Sequence, residues 1–86
     1  MIRYWFEFDF FNYTDIPSGL KLGCGVTAFS LIQAKELLAQ KVFFKAIPTI
    51  TKYIENVDVS VLDARHILPN IKPPIYLGVW FPMDYE

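Results

Sequence analysis

The chain holds one cysteine, one histidine and four glycines, and each shortage closes off a class of function. Cys24 has no second thiol for an internal disulfide or a metal cluster, so no metal centre or cofactor is expected and a reducing compartment suits the chain. No apolar run approaches the ~20 residues that a membrane-crossing helix needs. Glu7 and Asp9 fall where a secretion signal would place its apolar segment, which predicts a cytoplasmic location and no membrane partner. Charge is modest too: eight Lys and Arg against nine Asp and Glu leave a net charge of −1. Phosphate neutralisation supplies most of the affinity of nucleic-acid binding, so a chain without a basic run is expected to have no nucleic-acid partner.

What the chain has in quantity is apolar surface. Its 86 residues are 53% hydrophobic, enough for one domain spanning 1–86 and too few for two cores. Eight Phe, five Tyr and two Trp are present. Each ring can bury ~150–250 Å², while a domain of this size hides only about 60–65% of the surface its unfolded chain exposes. Some rings are therefore expected outside the core.

Residues 2–11 alternate with period two, Ile2, Tyr4, Phe6, Phe8 and Phe10 on one side and Arg3, Trp5, Glu7 and Asp9 on the other, as in a half-buried strand. Turn formers occupy 12–19, after which Leu20, Leu22, Cys24, Val26 and Ala28 alternate again, predicting a hairpin with a long loop. Placing Phe10 opposite Leu20 sets Asp9 against Lys21, Glu7 against Gly23 and Trp5 against Gly25, so that a large ring lies over a glycine. Ser30-Leu-Ile-Gln33 fits a capping box, and from Leu31 the apolar stripe Leu31, Ala34, Leu37, Leu38 and Val42 predicts an amphipathic helix. Residues 49–56 have β-formers with polar side chains on both faces, the mark of an edge strand. Residues 56–74 suggest a loop with one helical turn near Val61–Arg65, and Ile75–Phe81 a strand covered on both sides. The predicted fold is α+β: an antiparallel β-β-α-β-β sheet with one long helix on one face. The other face, carrying Trp5, Gly23, Gly25 and by parity Tyr76 or Trp80, is then expected to be open.

Four constellations bear on chemistry. Asp63, Arg65, His66 and Asn70 gather an acid, a base, the histidine and an amide within eight residues, enough for a general base with an oriented tautomer and an anion-holding guanidinium. The same residues also make ordinary loops, where Asp and Asn bond their own backbone. Cys24 with His66 and Asp63 has the residue types of a thiol hydrolase, but its parity with Leu22 and Val26 points it into the core, where a thiol is inert. Gly23-x-Gly25 lacks the third glycine, the Lys and the βαβ setting of a phosphate loop and is better read as room for rings. Trp5, Tyr76 and Trp80, with Tyr13 and Tyr85, are the residue types that anchor protein interfaces. The alternative for these rings is that 56–74 folds back over them and closes a second small core.

Gly-Cys-Gly-Val-Thr-Ala (23–28), His-Ile-Leu-Pro-Asn (66–70) and Gly-Val-Trp-Phe-Pro (78–82) are similar to segments of a group of short uncharacterised bacterial proteins. The resemblance covers most of the chain and implies no activity, cofactor or partner. The leading expectation is therefore a non-enzymatic protein-interaction module, self-associating as a homodimer or docking a protein partner, with Trp5, Tyr76, Trp80, Arg65, His66 and Asn70 as its contact residues. An inhibitor or immunity-type role suits the size and composition. The alternative is a small hydrolase or transferase using His66 with Asp63, Arg65 or Cys24.

Overall fold

The structure, a computed structural model, describes residues 1–85. The N-terminal alternation is realised as β1, Ile2–Asp9, with Tyr4, Phe6 and Phe8 entering one core and Trp5 another. Strand β2, Cys24–Ala28, pairs antiparallel with it in the predicted register, Trp5 against Gly25 and Ile2 against Ala28. That pairing ends at Phe6 and Cys24. The expected pairs of Phe10, Asp9 and Glu7 with Leu20, Lys21 and Gly23 give way to a 3-10 turn over Leu20–Leu22. Gly23, at φ 128, breaks the strand there, and the turn drives Leu20 fully into the core.

Helix α1 starts as the capping residues dictate. Ser30 Oγ accepts from the Gln33 N–H at 3.1 Å, and Gln33 Oε1 accepts from the Phe29 N–H at 2.7 Å, one residue further back than the usual box. The helix runs over Leu31–Leu37 and continues in a wider π-helical turn over Leu38–Phe43, which Phe44 closes at φ 59. Ala34, Leu38, Val42 and Phe43 form its buried face, against Tyr4, Phe6, Cys24, Val26, Ala28 and Val79 of the sheet.

Strand β3, Thr49–Glu55, pairs with the free side of β1, and β4, Gly78–Phe81, with the free side of β2. The sheet order is thus β3-β1-β2-β4, antiparallel throughout, with α1 on one face, an α+β fold. β4 is shorter than the predicted 75–81: Ile75, Tyr76 and Leu77 precede it as an irregular exposed run. Irregular pairing on both edges sorts the side chains. Between Glu7–Lys52 and Phe8–Ile50 one extra residue, Thr51, is inserted, so Ile50 joins the helix-side core while Ile54 joins the opposite one. Between Gly25–Phe81 and Val26–Val79 the extra residue is Trp80, which sends Val79 to the helix side and both Trp80 and Phe81 to the other.

The second face is closed, which corrects the expectation of an open aromatic surface. Segment 56–74 folds across it and packs Val57, Ile67, Val59, Leu62 and Ile71 on Trp5, Trp80 and Phe81. Trp5 and Trp80 are 2% and 1% exposed, so neither can anchor a partner. The physical reason is area. An indole removed from water gains about 4–6 kcal/mol at roughly 25 cal/mol/Å², and a neighbouring loop with spare Val, Leu and Ile takes that gain within the chain. The segment has two 3-10 turns, Val59–Val61 and Leu68–Asn70, instead of the one expected near 61–65. Among the described residues no helix is long and apolar enough to cross a membrane.

Candidate functional site

His66 owes its position to Asp63. Asp63 Oδ1 accepts from the N–H groups of Arg65 at 2.7 Å and His66 at 3.0 Å, and its carbonyl accepts from those of Ile67 and Leu68, which winds 63–68 into a tight turn. Ile67 plugs that turn into the second core, leaving the neighbouring His66 ring outside. Asp63 Oδ2 lies 3.4 Å from His66 Nδ1, and Asn70 Nδ2 donates to the His66 carbonyl at 3.1 Å. The backbone N–H groups of Arg65 and His66, with the His66 ring after them, hold the Asp63 carboxyl below the usual carboxylate range. With Nδ1–H turned to that carboxylate, the ring presents Nε2 outward as an acceptor.

His66 and Asn70 line a cleft of about 450 Å³. Ser18, Gly19 and Leu22 line it as well, together with the chain from Phe81 to Tyr85. Gly19, at φ 83, is required because a Cβ there would stand 2.9 Å from Pro82 Cγ. Tyr85 donates its hydroxyl hydrogen to the Ser18 carbonyl at 2.9 Å, tying two parts of the lining together.

No family model, curated protein or solved structure matches the chain. Function is therefore argued from geometry alone.

The structure brings His66, Asp63 and Asn70 of the predicted set together and leaves Arg65 exposed beside them. It separates Cys24. That side chain is fully buried in the layer beneath α1, whereas His66 belongs to the segment lying over the opposite face. Burial also pushes the Cys24 thiol far above its ordinary pKa, so the thiol-hydrolase constellation does not form. Gly23 and Gly25 are, as expected, room for rings: a Cβ on either would come within 2.5 Å of an indole atom, Trp5 at the first and Trp80 at the second. Tyr76 remains exposed, in the run before β4. Ser18 and Asp84 were not singled out by sequence reasoning. They enter the cleft through the contact between the 12–19 loop and the C-terminal residues, for which no local pattern exists.

Proposed function

We propose that the protein is a small interaction module that self-associates through the apolar run before β4. The observation that carries this reading is that three consecutive large side chains, Ile75, Tyr76 and Leu77, are left 62%, 67% and 49% exposed in a chain that sealed both faces of its sheet. Phe11, Ile32, Phe44 and Val61 are also exposed, but at separate points of the chain, whereas three adjacent apolar side chains make a contiguous liability unless something covers them. Phe29 extends the patch. It follows β2 two residues after the Thr27–Gly78 pair, just as Tyr76 precedes that pair by two, and it is 67% exposed. Thr27 fixes the approach of the run by donating its hydroxyl hydrogen to the Pro74 carbonyl. A net charge of −1 opposes the meeting of two copies only weakly.

Sedimentation velocity from about 1 to 200 µM tests the proposal, a range that brackets micromolar association. The chain should shift from monomer to dimer, and Tyr76→Ser with Leu77→Ser should hold it monomeric at an unchanged melting temperature. A chain that stays monomeric across the range refutes self-association. If a co-purifying target protein covered the run instead, and the same double variant released it, the role would be the inhibitor or immunity type.

A second reading, a small hydrolase or transferase with His66 as general base and Asp63 as its orienting group, is favoured by one observation: His66 lines a cleft with a carboxylate oxygen 3.4 Å behind its Nδ1. Turnover of a panel of activated ester and phosphoester substrates, abolished by His66→Ala, would support it. Equal rates for the H66A variant and the parent would end it.

A further inference from the structure

The cleft between His66 and Asp84 has a one-sided chemistry. Among the described residues of its lining, Asp84 alone carries a formal charge, taking His66 as neutral. Tyr85 spends its hydroxyl hydrogen on the Ser18 carbonyl, which leaves its oxygen to accept. His66, with Nδ1 turned to Asp63, offers Nε2 as an acceptor. The same lining includes apolar surface, from the buried Phe81 and Pro82 and the half-exposed Met83. A lining that combines one negative charge, acceptor groups and apolar side chains complements a ligand that is positive, rich in donors and carried on a short hydrocarbon stem.

We infer that this cleft binds an organic cation of the alkylguanidinium or alkylammonium class, its charged head at Asp84 and His66 Nε2 and its stem along Met83 and Pro82. The cleft is the one that the second reading uses, but cation binding there requires no catalysis by His66 and is separate from the self-association surface. The cleft lies at the Phe81 end of β4, whereas the apolar run enters the strand at Gly78. The volume of about 450 Å³ accommodates one such group with room for water, within the usual range of small-ligand sites. A free cation and the side chain of an Arg or Lys on another protein meet the cleft through the same chemistry of recognition.

The probes are n-butylguanidinium, n-butylammonium and, as the control of equal length and opposite charge, butyrate, each titrated into the 15N-labelled full chain and followed by amide chemical shifts. Saturable shifts at Gly19, His66, Asn70 and Met83 through Tyr85 are expected with the two cations and not with butyrate. Asp84→Asn should weaken the cation about three- to fivefold, the size of an ion pair open to water. Asn is the suitable replacement because Asp84 sits at φ 81, a conformation Asn tolerates better than other side chains. A capped Gly-Arg-Gly peptide binding more tightly than butylguanidinium would identify the source as a partner chain, and equal or weaker binding a free cation. Equal shifts with butyrate, no saturable shift at the cleft with either cation, or a D84N variant that binds as the parent does would overturn the inference.

Discussion

Gly25→Ala tests the construction of the second core at a single atom. The new carbon would stand 2.5 Å from three atoms of the Trp80 ring system, where a relaxed carbon contact is about 3.5–4.0 Å. The indole must therefore retreat by about 1 Å, and it is 1% exposed and packed on Trp5 at a ring separation of 6.0 Å. Overpacking of this kind costs about 1–3 kcal/mol, and a trapped ring places the site near the upper end. Replacing a strand glycine returns about 0.5–1 kcal/mol of backbone entropy. The balance is a destabilisation of about 2 kcal/mol, or roughly 8–16 °C in melting temperature for a domain of this size. Far-UV circular dichroism on heating and in urea reads it directly. Trp80→Phe removes the offending part of the ring together with Nε1, a buried donor without a hydrogen-bond partner among the described residues. In the W80F background Gly25→Ala should therefore cost no more than about 0.5 kcal/mol, a coupling of about 1.5 kcal/mol in the double-mutant cycle. A Gly25→Ala protein that melts with the parent, or one that loses as much stability with the smaller ring, would refute the close-approach account.

Cys24 should resist a thiol reagent in the folded protein and react at the rate of global unfolding, because it is fully buried and its thiolate is strongly disfavoured; fast labelling under native conditions would contradict the layer assignment. Ile67→Ala, which removes a plug from the second core, should cost about 2–4 kcal/mol and shift tryptophan emission to the red, whereas Val61→Ala, at a position 73% exposed, should do neither. Asp58 and Asp63 both have pKa values lowered by hydrogen bonds in the folded state, first from the Ser60 side chain and from the Arg65 N–H respectively. Their contribution is complete above the unfolded carboxylate pKa near 3.9 and is lost as pH falls through the depressed folded values, so stability should stay level from about pH 7 to 5 and decline below about 4. Asp63→Asn should make that acid decline shallower; an unchanged slope in urea melts at low pH would count against the hydrogen bonds at Asp63.

The hairpin and the helix were legible because their signals are local. Period-two alternation and the small residues facing Trp5 set the β1–β2 register, and Ser30 with Gln33 marked the helix start. The two irregular pairings were not legible. Ile50 and Ile54 share parity in sequence, and only Thr51, inserted opposite the Glu7–Phe8 step, places them in different layers. Lys52 on their parity and Thr49, Thr51 and Glu55 on the other make β3 read as polar on both sides. The fate of the second sheet face turned on whether Val57, Leu62, Ile67 and Ile71, spread over an irregular segment, would meet the indoles, and composition left both outcomes open. Of the cleft, the His66–Asp63 pair and Asn70 were visible as a cluster, while Ser18 and Asp84 depend on a contact between distant loops.

Segment 56–74 is fastened at its ends, by the Val57 N–H to the Arg3 carbonyl and the Lys72 N–H to the Trp80 carbonyl, while Asp58, Asp63 and Asn70 bond their own neighbours between those points. A stretch organised in this way is expected to lift as a unit while the β1–β2 ladder and the helix layer stay closed, and native-state hydrogen exchange would then show two tiers of protection. Such opening would bear on solubility. Each partial opening would bare two adjacent indoles without unfolding the chain, so clumping on storage or overexpression should scale with how often that cover rises, below the temperature at which the whole structure melts.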